Sequence, residues 1–134
     1  MNKASTAYNI HGVGRRKSAV ARVWLKLGTG KVEVNGKACA EYFDTPLHVA
    51  TALFPFKVCN AEKAYDAKVA VVGGGFGGQA DAVKLGVARA LLSTNEALRI
   101  ILRQNDLLTV DARVKERKKY GQKAARRKFQ FVKR

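Results

Sequence analysis

Residues 69–79, VAVVGGGFGGQ, satisfy the spacing G-x-G-x-x-G on Gly73, Gly75 and Gly78, after a strand-like run and ahead of a helical one. Unpaired backbone N–H groups at the start of such a helix can hold a phosphate, and in this context the spacing is the dinucleotide-binding fingerprint. An acid even follows, at Asp106 beyond LRIILRQN. A doubly wound domain needs further strands and helices, however, and after Asp111 only a basic segment follows, while nothing before Tyr65 supplies them in the right order. The glycine loop Gly73–Gly78 is therefore expected either to hold an RNA phosphate or only to allow a close turn from strand to helix.

The other chemistry-bearing side chains make no constellation. Cys39 and Cys59 could join His11 and His48 around a metal, but no C-x-x-C or H-x-x-x-H spacing occurs, so reduced cysteines in or near a core are expected. Neither histidine lies in a recognisable motif with a nucleophile, and the ten acids are scattered. No catalytic residue, cofactor or metal is expected.

Charge is the stronger signal. The 134 residues carry 26 lysines and arginines against 10 acids, a formal +16, which would repel itself unless a polyanion neutralised it. The excess is concentrated: residues 112–134 hold 11 bases and one acid, Glu116. Among those bases stand Tyr120, Gly121, Phe129 and Phe131, and rings between arginines suit stacking on bases and threading between phosphates. The segment has little to bury, so it is expected to be extended or disordered until RNA orders it. Its expected RNA-contacting side chains are Arg113, Arg117, Lys118, Lys119 and Tyr120, followed by Lys123, Arg126, Arg127 and Lys128. Arg15, Arg16, Lys17 and Arg22 form a second basic cluster, suited to phosphates because arginine's planar fork can hold two oxygens at once. No apolar run approaches the roughly 20 residues of a membrane-spanning helix. The start, MNKASTAYNI, lacks the apolar stretch of a secretory signal, so the chain is expected to stay in the cytoplasm.

One folded body, residues 1–111, must carry the arm of residues 112–134. Ser18–Leu27 alternates strictly, with Ala19, Ala21, Val23, Leu25 and Leu27 on one face and Val20, Arg22, Trp24 and Lys26 on the other. Gly28–Gly30 turns the chain into a second strand from Lys31 to Val34, predicting a β-hairpin, and Asn35-Gly36 marks a tight turn. Asp44 or Thr45 caps a short helix with Pro46 at its first position, lined by Leu47, Ala50, Leu53 and Phe54 and stopped by Pro55. Tyr65–Val72 reads as a buried central strand, and Gln79–Leu92 as the core helix, where Gly86 permits close approach of a neighbouring backbone. Ser93-x-x-Glu96 predicts a capping box for one further helix, with Leu98, Ile101 and Leu102 inward.

Three segments, GVGRRKSAVARV from Gly12 to Val23, the stretch from Gly73 to Leu91, and the terminal Lys133-Arg134, together resemble the family of the ninth protein of the small ribosomal subunit in its bacterial form. The middle one, with GGG-x-x-GQ, then Ala82, Gly86 and Ala88, then Arg89-Ala90-Leu91, is the most specific, and ERKKYG from Glu116 to Gly121 adds a fourth. The resemblance covers essentially the whole chain. It implies an α+β fold, a four-stranded mixed sheet with helices packed on one side and a left-handed βαβ crossover, like the second domain of the fifth small-subunit protein. It also implies a structural, non-enzymatic place in the head of the small subunit, bound to its rRNA beside other head proteins and not as a homo-oligomer. Through the resemblance the arm is expected to reach the peptidyl site, with Lys133 and Arg134 at the anticodon stem-loop of the bound tRNA. Phe129 and Val132 stand where the family more often has proline and serine, so the tip trades a stiffening ring for one that can stack. The rival from another class is a general nucleic-acid-binding protein, which would take duplex DNA about as well as structured RNA.

Overall fold

A computed structural model of the protein describes residues 8–132. Its body is α+β, built on a mixed sheet of five strands in the order β1-β2-β5-β3-β4. The strands are β1 (Ile10–Arg16), β2 (Ala19–Leu27), β3 (Val32–Val34), β4 (Lys37–Ala38) and β5 (Tyr65–Val72). The helices are α1 (Cys39–Tyr42), α2 (Pro46–Val58), α3 (Phe76–Thr94) and α4 (Arg99–Gln104), with a 3₁₀ turn at Glu96–Leu98. Among the described residues no helix is long and apolar enough to cross a membrane.

The sheet has one strand more than the four expected, and its hairpins differ. β2 does not pair with β3; its antiparallel partners are β1 on one side and β5 on the other, and β3 runs parallel to β5. The opening hairpin is thus β1-β2, turned by Lys17 at φ 54°. The cause lies in Asp66 on β5, whose Oδ1 accepts the backbone N–H groups of Thr29, Gly30 and Lys31, each at 2.9 Å. These bonds hold its carboxyl below the usual carboxylate range, the Lys31 bond most of all. They fasten residues 28–31 across the end of β5, so the chain emerges on β5's far side. The Asn35-Gly36 turn is present, joining β3 to β4 with φ values of 51° and 82°. Asn35 then continues the parallel pairing with its side chain, Oδ1 accepting from Val71 N–H at 2.9 Å and Nδ2 donating to the Val71 carbonyl at 3.0 Å.

Ala19, Ala21, Val23 and Leu25 of β2 are buried with Val69 and Val71 of β5, as the alternation predicts, but Leu27, the last residue of β2, is 70% exposed. In α3 Ala82, Val83, Gly86, Val87, Ala90 and Leu91 all face the core. The helix lies close on β1 because Gly12 and Gly14 offer no side chain there: a methyl at Gly14 would run into the Ala82 carbonyl, and one at Gly12 into that of Gly86.

Two helical boundaries correct the reading. Thr45 caps α2, accepting from His48 N–H at 3.4 Å, but Pro55 does not stop it. Proline removes only the bond to Thr51, and the last turn closes through Cys59 N–H on the Pro55 carbonyl at 3.1 Å. The buried side of α2 is Ala52, Pro55 and Phe56, while Leu47 is 72% and Phe54 38% exposed. Ser93 lies inside α3, and it is Asn95 that caps the 3₁₀ turn, accepting from Ala97 N–H at 3.0 Å. Leu102 is then buried, whereas Ile101 is 39% exposed. Cys39 and Cys59 are free thiols, and burial pushes that of Cys39 up to about 11.

Candidate nucleic-acid interface

The arm begins where α4 ends. Leu107 is buried and its N–H bonds back to the Leu102 carbonyl at 3.0 Å, which turns the chain toward the β1-β2 end of the body. There Arg16, with a side chain only 14% exposed, reaches between Asp81 of α3 at 3.6 Å and Asp111 at 3.5 Å. Its Nη1 also donates to the backbone carbonyl of Arg113 at 2.9 Å. Arg113 bends back on Asp111, Nε and Nη2 donating at 3.0 and 2.7 Å. These four residues form a clasp that fixes the direction in which the arm leaves.

Hydrogen bonds from the Arg113 guanidinium, with the charge of Arg16 beside it, hold the Asp111 carboxyl well below the usual carboxylate range. A group with a depressed folded pKa contributes above its unfolded value and is lost as pH falls through the folded one. The clasp is therefore expected to stay closed at pH 4 and to open only well below the unfolded aspartate value of about 3.9. Following the Arg113 amide by NMR through an acid titration tests this; a midpoint at the unfolded value would refute it. Asp111→Ala removes the oxygen that accepts from the Arg113 N–H at 3.1 Å and should expose that amide to exchange at all pH values.

Beyond the root, residues 114–132 contain no helix or strand, and the side chains are largely exposed. The segment is not featureless. Glu116 pairs with both Lys119 and Arg126, Lys123 N–H bonds to the Arg127 carbonyl at 2.8 Å, and Gly121 at φ 71° lets the chain double back between them. Within an arm that has neither helix nor strand, the described residues make a root, a small clasped loop at residues 116–127 and a tail.

These contacts divide the cations read from the sequence. Arg113, Lys119 and Arg126 are paired with acids, and Arg16 is committed to the clasp. Among the described residues Arg117, Lys118, Lys123, Arg127 and Lys128 have no acidic partner, and Tyr120 is 95% exposed beside them. Arg15, Lys17 and Arg22 are likewise exposed on the β1-β2 hairpin. The structure brings Arg15 and the arm root to one recess, a cavity of about 580 Å³ lined also by Lys84 and Thr109. Lys133 and Arg134 lie outside the described residues.

The glycine loop is shaped by packing. Gly73 and Gly74 have φ values of 76° and 67° and press on Ser18 and Ala19, where a side chain at Gly73 would meet the Ser18 carbonyl. The buried Gln79 holds the loop, Nε2 donating to the Gly73 carbonyl at 3.0 Å while Oε1 accepts from the Tyr42 hydroxyl at 2.7 Å. The brace from Asn35 through Tyr42 to Gln79 is invisible to local patterning because Gln79 lies 37 residues after Tyr42. The same holds for Asp81, whose place in the clasp no spacing announces.

The family model described as ribosomal protein S9/S16 matches residues 14–134. The chain is 46% identical over 132 residues to the small ribosomal subunit protein uS9 of Rickettsia massiliae (strain Mtu5), covering 98% of this chain and 83% of that protein. It is 49% identical over 125 residues to the protein of the same description from Chlorobium chlorochromatii (strain CaD3), covering 93% and 97%. A doubly wound nucleotide enzyme has no place in such a sheet, and the chain belongs to the ribosomal protein S9/S16 family.

Proposed function

We propose that this protein is a structural constituent of the small ribosomal subunit, seated in its head on ribosomal RNA and reaching with its arm toward the peptidyl-site tRNA. The observation that carries the reading is the set of acid-free cations on the arm and hairpin, held in one direction by the Arg16 clasp, in a chain whose relatives are small-subunit proteins. Arg15, Lys17 and Arg22 with Arg117, Lys118, Lys123, Arg127 and Lys128 neutralise rRNA phosphates, and Tyr120 stacks on a base. Arg16, Arg113, Lys119 and Arg126 contribute at the same surface with charges already partly satisfied. The crossover from β3 through α1 and α2 to β5 is left-handed, as the resemblance implies. Lys133 and Arg134 meet the anticodon stem-loop.

Removing Lys133 and Arg134 tests the division between anchor and tip. The shortened protein is expected to remain in small subunits through a high-salt wash while tRNA is retained less well at the peptidyl site. Failure to enter subunits would make the tip an assembly element instead. Equal affinity of the intact protein for duplex DNA and for small-subunit rRNA would overturn the ribosomal reading.

A further inference from the structure

The helices cover one face of the sheet, against which Ala19, Ala21, Val23 and Leu25 are buried, and the opposite face carries the other half of the alternation. At its centre is Trp24 of β2, half-buried, the one tryptophan in the chain. His11 lies directly across from it on β1 and Lys68 directly across on β5, both exposed. The His11 ring stands 5.2 Å from the indole at a tilt of 43°. The guanidinium of Arg22, two residues along the same strand, lies 5.5 Å from the ring centroid. Arg15 and Lys26 extend the same face toward its two ends.

Charge selects the occupant. On the three strands around Trp24 the only carboxylate of this face is Asp66, whose Oδ1 is taken by the three N–H groups of the β2-β3 loop. Glu33 opposite Lys68 marks the acidic border on β3. An indole with the Arg22 guanidinium 5.5 Å from its centroid and Lys68 across from it on β5 suits a base laid on the ring with its phosphates running over Arg22 and Lys68. A protein partner would need either an apolar surface, which this face interrupts with charge, or an acidic one, which would leave the indole without a role.

We propose that the open sheet face is a second RNA-contact surface, on which an unpaired rRNA base stacks on Trp24 while Arg22 and Lys68 hold the flanking phosphates. The proposal rests on the ribosomal reading above, and it adds a contact of the body to that of the arm.

Because the arm's aromatic residues are tyrosine and phenylalanine, tryptophan emission reports this face alone. The full-length protein is titrated with a mixed-sequence single-stranded oligoribonucleotide and with protein-free small-subunit rRNA. Quenching of Trp24 is expected with both, together with about a tenfold loss of affinity in Trp24→Ala, retention of most of it in Trp24→Phe, and weaker quenching in the surface variant Lys68→Glu. The last two variants decide the matter if Trp24→Ala fails to fold. RNA bound with unchanged emission, and unaltered affinity in Lys68→Glu, would overturn the stacking proposal and leave the ribosomal reading standing. Quenching that required other small-subunit proteins would make this a protein-docking face and overturn it equally. No binding of either RNA would overturn both.

Discussion

Gly14→Ala is expected to lower the stability of the body by about 3 kcal/mol or more, at the upper end of what overpacking costs, because its new methyl group meets backbone and not a movable side chain. The added carbon would collide with the Ala82 carbonyl and crowd the Gly86 amide, so α3 would have to rise from β1 along its length. That helix supplies eleven buried residues, from Gly78 to Leu91, and lifting it opens the core beneath β2 as well. Gly86→Ala is expected to fall in the same direction but less far, since its nearest obstacle is the Val23 Cγ2 at 2.8 Å, a side chain with some freedom to shift. Gly75→Ala is the control: nothing lies within 4 Å of its methyl, and as the N-cap of α3 it should cost under about 1 kcal/mol. Urea unfolding of the three variants followed by circular dichroism gives the ranking. A Gly14→Ala protein as stable as Gly75→Ala would show that β1 and α3 are not in close backbone contact.

The same glycines explain what was legible in the sequence. β2 and α3 declare themselves because their buried positions are filled by apolar side chains at periods of two and 3.6, which local patterning detects. β1 is as firmly part of the sheet, yet its inward positions include Gly12 and Gly14, so IHGVGRR has no apolar alternation to show. The hairpin between β2 and β3 was misread because Gly28-Thr29-Gly30 has the composition of a tight reversal, and its fate depends on Asp66, 36 residues after Gly30. Local rules see the turn but not the carboxylate that redirects it. Pro55 illustrates the same limit: a proline three residues from a helix end removes one bond, and buried packing of Pro55 and Phe56 outweighs it. At the candidate site, charge density is what makes the arm and the cluster of Arg15, Arg16, Lys17 and Arg22 visible in the sequence, since Coulomb interactions with a polyanion depend on density more than on detail. Which cations are free was not readable, because Asp81, Asp111 and Glu116 are brought to their partners by the fold.

That partition fixes the second large effect. With eight acid-free cations among the proposed rRNA contacts, five on the arm and three on the hairpin, log affinity for small-subunit rRNA is expected to fall with log salt at a slope of about −6 to −7. Between 50 and 200 mM salt this is a loss on the order of 10⁴ in affinity. Replacing Arg117, Lys118, Lys123, Arg127 and Lys128 by glutamine should remove about four units of slope, since each neutralised phosphate contributes about 0.7 to 0.9. Replacing Lys119 and Arg126 should remove less than two, because Glu116 already holds both and their counterions are in part displaced within the free protein. Glu116→Gln should do the reverse, freeing two cations and steepening the slope while loosening the loop at residues 116–127. Filter binding over a salt series measures all four proteins in one format. A wild-type slope near −1, or equal losses from the five-residue and two-residue replacements, would mean that the arm does not bind through its unpaired charges.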